Sequence, residues 1–241
     1  MSVKDHYDNH LGNFYSWMTG DFDKNKTDFK TFIEKHSNFL SIPCKVVDLG
    51  AGHGIQSVAM AELGCQVLAV DFNQQLLSEL ESRAKDLTIE IKNGDIRNSG
   101  LYENFKAQIV ICYGDTLPHL DTFKEIETFV KSVHNILPVQ GKFIISFRDY
   151  SHELKDTSRF IPVKSDENKI HTCILEYFND YVRVTDLLYF KENEKWLSHI
   201  SSYNKVRITE TDMIDLVKKT GFNIDVHVKE TGFIKIIASK E

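Results

Sequence analysis

The sequence predicts an α/β fold: a mostly parallel sheet covered by helices on both faces, with an antiparallel β meander inserted toward its C-terminal end. Three observations predict it. From Lys45 to Phe147 short apolar runs alternate with amphipathic stretches (KVVDL, IQSVAMAEL, QVLAVD, QLLSELESRA, TIEIKN, AQIVIC, FKEIETFVKSVHNIL, KFIISF), the rhythm of parallel strands joined by helical crossovers. VVDL, VLAV and IVIC are apolar throughout rather than alternating, as central strands covered on both sides are. Residues 168–206 change character: CILEYF, YVRVTDLLYF and KWLSHISSYNKV are rich in β-branched and aromatic residues and are separated by N-D and E-N-E turns, the pattern of antiparallel hairpins.

In chain order, residues 4–18 and 27–40 read as two helices. Tyr7, Phe14, Tyr15 and Trp17, then Phe29, Phe32 and Phe39, recur at roughly helical spacing, and core packing is the plain explanation. The parallel core follows, then the meander. TETDMIDLVKKTG reads as a helix with Thr209 as N-cap, Asp212 as capping-box partner and Gly221 as C-cap. NIDVHVK and GFIKIIAS then lie close enough to pair as a hairpin. No repeat, low-complexity tract or Pro/Gly-rich linker divides the chain.

Composition narrows the partners. With 241 residues, 41% hydrophobic and 27% charged, the chain can bury a core without help. No apolar run approaches the ~20 residues of a membrane span, and MSVKDHYDNHLGNFYSW lacks a signal-peptide pattern, so a cytoplasmic protein without a membrane partner is expected. Lys+Arg 29 against Asp+Glu 35 gives a net charge of -6, the wrong sign for gripping a phosphate backbone, so no nucleic-acid partner is expected. Cys44, Cys65, Cys112 and Cys173 are widely spaced without a C-x-x-C, so buried free thiols in a reducing compartment are expected rather than disulfides or zinc. The ten His show no paired ligand spacing, and no metal is expected. Oligomeric state is open.

The chemistry begins at VVDLGAGHGIQSVAMAELG, where a buried strand runs through Gly50, Gly52 and Gly54 into a helix. Glycines there let the backbone turn sharply and approach a ligand closely. Asp71 ends the next strand, 21 residues after Gly50, where a carboxylate can accept both hydroxyls of an adenosine ribose. Nicotinamide dinucleotides and S-adenosylmethionine both suit such a site. The spacing G-x-G-x-G, with Ile55 where the third dinucleotide glycine would stand, and the extra acid Asp48 favour the ligand that carries positive charge over a pyrophosphate.

D-L-G-A-G-H-G, Asp71 and N-G-D-I at 93–96 together resemble the motifs of class I S-adenosylmethionine-dependent methyltransferases over about residues 40–150. The resemblance implies a Rossmann-like seven-stranded sheet, S-adenosylmethionine as cofactor, and cofactor contacts from Tyr15, Asp48, Gly50, Ala51, Gly52, Gly54, Asp71, Phe72, Asp95, Ile96 and Tyr113. Asp95 would meet the adenine amino group with Ile96 beside the ring. It also implies an organisation: 1–40 an N-terminal helical lid, 41–150 with 207–241 the cofactor-binding core, and 151–206 a roof over the substrate.

V-I-C-Y-G-D-T-L-P-H-L and S-F-R-D-Y fall where strand ends open onto the ligand crevice. They resemble loops of glycine and sarcosine N-methyltransferases, which implies that Arg148 meets a substrate carboxylate, with a fork that matches it bidentately. Pairing of Arg148 with Asp149, Asp115 or Glu153 is the alternative. Asp115 departs from the amide of those enzymes, and it can bind an ammonium, neutralise Arg148 or accept a proton. His119 can act as a base near neutral pH, cap the following helix or stack on adenine. Asp115, His119 and Arg148 are thus the catalytic candidates, and Trp17, Arg148 and Tyr203 the substrate-binding ones. Met18 falls loosely where those enzymes carry a tyrosine. The expected activity is methyl transfer to a small molecule, to the nitrogen of a carboxylate-bearing amine. An O-methyltransferase acting on a hydroxyl or carboxylate, or a non-catalytic S-adenosylmethionine-binding module, are the alternatives.

Overall fold

The structure, a computed structural model, describes residues 2–36 and 40–241. The expected helix over 4–18 is broken. It forms α1 (Val3–Asn9), a 3-10 turn (Leu11–Asn13) and α2 (Tyr15–Thr19). The break lies at Gly12, where a Cβ would come within 2.7 Å of the Tyr7 carbonyl oxygen, so the chain folds back on itself at a point that only glycine fits. The second helix, α3, spans Phe22–His36 and begins earlier than expected. Phe39 lies outside the described residues.

The core then alternates as predicted: β1 (Lys45–Leu49), α4 (Ile55–Glu62), β2 (Gln66–Asp71), α5 (Gln74–Arg83), β3 (Ile89–Asn93), β4 (Ile109–Cys112), α6 (Phe123–Ile136) and β5 (Lys142–Arg148). Four strands of the meander, β6 (Phe160–Ser165), β7 (Lys169–Tyr177), β8 (Tyr181–Glu192) and β9 (Lys195–Val206), form a separate antiparallel sheet. They are followed by α7 (Glu210–Lys219) and the hairpin β10 (Phe222–Glu230) and β11 (Phe233–Lys240). The main sheet has seven strands in the order β3-β2-β1-β4-β5-β11-β10. Its first five are parallel, and β11 and β10 join antiparallel.

Side chains alternate across this sheet with the period of two that strands impose. Val47, Leu49, Val110, Cys112, Phe143 and Ile145 face α6 and α7 through Phe129, Val130, Val133, Leu216 and Val217. Val46, Val67, Ile109, Ile111 and Ile144 face α3 and α4 through Phe29, Ile33, Ala59 and Met60. β1 has β2 on one side and β4 on the other, so the loops that follow β1 and β4 run in opposite directions and leave a crevice at their carboxyl ends. No helix among the described residues is long and apolar enough to cross a membrane.

The cysteine expectation needs correction. Cys44 and Cys65 form a disulfide with Cα atoms 4.8 Å apart, while Cys112 and Cys173 are free. The reason lies in the register: Lys45 pairs with Gln66 in the parallel β1–β2 ladder, so the residues immediately before them face each other. Sequence spacing carries no trace of that.

α7 owes its start to Thr209. Its Oγ1 accepts the amide of Asp212 at 3.1 Å and donates to the Asp212 carboxylate at 2.6 Å, which satisfies one of the free amides of the first turn. Thr209→Ala should cost about 1 kcal/mol and lower the melting temperature by roughly 2–4 °C without changing cofactor affinity. An unchanged melting curve in calorimetry would remove the cap from the account of α7.

Candidate active site

The turn after β1 is set by contacts on three sides. Gly50, Gly52 and Gly54 take φ of 79°, 53° and 97°, a region that side-chain-bearing residues avoid. A Cβ on Gly50 would lie 2.4 Å from Thr116 Cγ2, and one on Gly54 2.2 Å from Leu80 Cδ1. The first and third glycines are therefore packing positions. Gly52 differs: its nearest neighbour would be Tyr15 Cε1 at 3.9 Å, so open space lies in front of the middle glycine, as a bound methyl donor needs. Gly114, in the loop after β4, has nothing within 4 Å of a Cβ position.

Two acids support the turn. Asp48 lies buried beneath it, where its carboxylate accepts Ser57 Oγ at 2.6 Å, and burial pushes its carboxyl up to about 7 against the opposing pull of that bond. Asp71 accepts the Gly52 amide at 2.9 Å through one oxygen and the Asn73 amide at 2.8 Å through the other. Burial raises its carboxyl despite these amides. Each oxygen retains a lone pair for a hydroxyl, so this end of the crevice fits an adenosyl ligand.

A cavity of about 750 Å³ extends from this turn to the four-stranded sheet. Of the residues predicted from sequence, it brings together Tyr15, Gly50, Ala51, Gly52 and Tyr113 with Asp115, His119, Arg148 and Tyr203, and Met18 also lines it. Asp48, Gly54, Asp71, Phe72, Asp95, Ile96 and Trp17 are not in its lining. At Asp71 and Phe72 the reason is the N-terminal segment, which lies across them. Tyr7 meets the ring of Phe72 edge-on at 5.5 Å, and Asn73 Nδ2 donates to Asp8 at 2.9 Å. Asp95 is half-exposed and chelated by Arg97, which donates to it through Nε at 3.0 Å and Nη2 at 2.6 Å. The Trp17 indole donates to Asp166 at 2.6 Å and lies under Lys164 and Lys169, at the edge of the meander.

On the substrate side Asp115 is the hub. It accepts Lys205 Nζ at 2.5 Å, the Arg148 amide at 2.9 Å and the Tyr150 hydroxyl at 3.2 Å. Burial alone would raise its carboxyl, but the ammonium of Lys205, His119 and these donors hold it below the ordinary range. Arg148 does not make the internal ion pair that the sequence left open. Asp149 is taken by Lys229 at 2.5 Å and Glu153 by Arg207 at 2.9 Å. The Arg148 guanidinium instead lies on the Phe233 ring, 4.4 Å from its centroid, exposed at the cavity edge, and among the described residues no carboxylate is within ion-pair range.

His119 is half-buried, and its Nε2, which is itself buried, has no partner. Burial, helped by Lys205, pushes its pKa down to about 3, away from the near-neutral range that the first of its three open roles, a base, would use. Tyr203 lies between it and His6, with ring centroids 5.5 Å and 4.2 Å away. Three groups that the sequence reading did not single out also line the cavity: Lys205, His171 and Asp186. A signal for them existed. On β8 the inward positions run Val182, Val184, Asp186, Leu188, and a carboxylate in that apolar row needs partners.

Residues 46–141 match the family described as a methyltransferase domain. The chain is 43% identical over 53 residues to the cypemycin N-terminal methyltransferase of a Streptomyces species, a match that spans 22% of each chain. It is 23% identical over 203 residues to the mitochondrial ubiquinone biosynthesis O-methyltransferase of Schizosaccharomyces pombe, covering 80% of this chain and 71% of that protein. The fold is shared with an S-adenosylmethionine-bound amino pentose methyltransferase of calicheamicin biosynthesis from Micromonospora echinaspora, with a TM-score of 0.77 at 14% identity over 96% of this chain and 97% of that one.

The Asp115–Lys205 pair, with side chains 15% and 10% exposed, gives a test of the site's electrostatics. Lys205→Met strands a buried carboxylate and should cost about 3 kcal/mol at pH 7. Asp115 has a depressed folded pKa, so in the wild type its contribution is present above the ordinary carboxylate pKa and is lost as pH falls through the folded value. In the variant the carboxyl pKa rises, so the stability gap between the proteins should narrow on acidification. Denaturant titrations with a gap that is constant from pH 7 to pH 4 would contradict this assignment.

Proposed function

The chain carries a class I S-adenosylmethionine-dependent methyltransferase domain, and on that premise we propose that it methylates the amine nitrogen of a small acceptor that also bears a carboxylate. The observation that carries this is Arg148: a guanidinium at the cavity edge, set on an aromatic ring and left without an acid, while Asp115, Glu153 and Asp149, the three acids that the sequence offers it, are paired with other cations. Its planar fork suits a carboxylate. Two of the relatives described above are named for N-terminal and amino pentose methylation, which supports nitrogen as the acceptor atom.

When bound, S-adenosylmethionine supplies a methyl group already activated on a sulfonium. The chain supplies alignment, exclusion of water and a deprotonated acceptor. The glycine turn and Asp71 hold the nucleoside end, and Asp95 would reach its base only by exchanging its bonds to Arg97. Tyr15 covers Gly52, and the inner face of the meander closes the cavity above. Arg148 holds the acceptor by its carboxylate, so that its nitrogen lies in the interior and its charged end at the rim. Asp115, ionised and saturated by donors, keeps the loop after β4 in place rather than exchanging protons.

A second reading rests on the ubiquinone-pathway relative, which is named an O-methyltransferase. Arg148 would orient a carboxylate equally well as the methyl acceptor itself. Mass spectrometry after incubation with S-adenosylmethionine and a panel of carboxylated amines and their neutral counterparts separates the readings. N-methylated products from the carboxylated set alone are expected, and turnover confined to neutral amines or to esters would overturn the proposal.

Two substitutions sharpen it. Arg148→Lys keeps the charge but loses the fork, and should lower kcat/KM for the acceptor roughly 10- to 150-fold, equivalent to about 1.5–3 kcal/mol, with S-adenosylmethionine affinity within threefold of wild type. Asp71→Ala should do the reverse and weaken cofactor binding at least about tenfold in calorimetry. Parallel loss of both ligands in Arg148→Lys would make that residue structural.

A further inference from the structure

One buried network is left unused by the reading above. Asp186 on β8 receives two imidazoles: His171 Nε2 on Oδ1 at 2.9 Å and His6 Nε2 on Oδ2 at 3.0 Å. Asp186 lies opposite Cys173 on β7 and Ser201 on β9, and both His residues are almost wholly buried. The two N–H bonds and the nearby imidazoles hold the carboxyl ionised in spite of burial. An ionised carboxylate only accepts hydrogen bonds, so each histidine carries a proton on Nε2, and in its neutral form the acceptor lone pair is at Nδ1.

The two Nδ1 atoms differ in what they meet. That of His6 accepts from Ser201 Oγ at 2.7 Å. That of His171 has no partner, although the residue is 1% exposed and its ring lines the cavity. A buried acceptor without a donor is costly, and the residue that carries it lines the cavity on one side and packs against the Phe14 ring, 5.1 Å between centroids, on another. Three other titratable groups in the cavity are poorly suited to taking a proton. His119 is pushed down to about 3 and has no carboxylate behind it, Asp115 is saturated by Lys205, Tyr150 and the Arg148 amide, and burial pushes the Tyr203 phenol well up.

We propose, resting on the amine-methylating reading above, that His171 is the proton acceptor of the reaction and Asp186 its positioning residue. The Nδ1 lone pair takes one proton from the acceptor's ammonium, R–NH3+, leaving a neutral amine and an imidazolium held by the Asp186 carboxylate. The freed nitrogen pair forms the new N–C bond while the C–S bond breaks and its electrons pass to sulfur. The product leaves as R–NH2+–CH3, and the imidazolium returns its proton to solvent. A carboxylate that fixes the tautomer and steadies the cation is the arrangement general-base imidazoles use. Around His171 the charged and titratable groups are Asp186, His6 and His10, with Lys164 opposite it in the β6–β7 ladder.

The test uses the full chain with S-adenosylmethionine and glycine, sarcosine and β-alanine as acceptors. His171→Gln should lower kcat at pH 7 at least about 100-fold. Its residual rate should climb about tenfold per pH unit toward the amine pKa, since the amine then arrives already neutral. His171→Asn serves as a second variant, and a retained melting shift with S-adenosylhomocysteine certifies folding. Long-range 1H–15N spectra of histidine-labelled wild type should show His171 protonated on Nε2 and bare on Nδ1. A folded His171→Gln with wild-type kcat and pH profile, or an Nδ1–H signal, overturns this inference alone. A wild type that methylates none of the three amines overturns the acceptor class, and the proton transfer with it.

Discussion

The Asp115 carboxylate, in the loop after β4, is where the two sheets are held to each other. Its donors come from three places: Lys205 on β9 of the roof, the amide of Arg148 at the end of β5, and Tyr150 just beyond. Burial makes each of these bonds matter, because a carboxylate taken out of water must recover nearly all of its solvation from fixed partners. The loop after β4 cannot shift without losing them, and Thr116 in that loop is the residue packed against Gly50. The glycine turn, the loop after β4 and the four-stranded sheet thus share one electrostatic anchor. The crevice itself is a product of topology, since β1 sits between β2 and β4, and the Asp115 bonds tie the loop after β4 on its rim to β9.

Much of that frame is legible in the sequence, for a physical reason. Strands buried on both faces must be apolar throughout, so VVDL, VLAV and IVIC announce the centre of the sheet, and the two strands that carry less burial, β3 and β10, are those at its edges. Local signals with a hydrogen-bonding purpose are equally readable: Thr209 caps α7, and Asn193 and Glu194, both at positive φ, turn β8 into β9 as the E-N-E segment suggests. The N-terminal break at Gly12 and strand β6 are less so. β6 lies at the edge of its sheet, carries Pro162 and a register shift, and has neither alternation nor a continuous apolar run.

The site was half readable. The turn and the two strand-end loops declare themselves because backbone geometry there demands particular residues. Lys205, His171 and Asp186 do not, because their meaning comes from cross-strand register. Asp186 faces Cys173 and Ser201 only once β7, β8 and β9 are paired, and the imidazole that completes the network, His6, arrives from 180 positions away in the chain. The Cys44–Cys65 bridge escapes for the same reason. Spacing along a chain is a poor guide to partners that a sheet brings together.

The N-terminal helix has a foot on each sheet. Asp8 accepts Asn73 at the start of α5 in the core, and His6 holds Asp186 in the roof. A segment fastened at both ends cannot leave Asn73 without also straining its hold on Asp186. The two contacts are therefore coupled through one short helix: the start of α5 and the inner face of the four-stranded sheet keep their spacing as long as both hold, although no strand of one sheet pairs with a strand of the other.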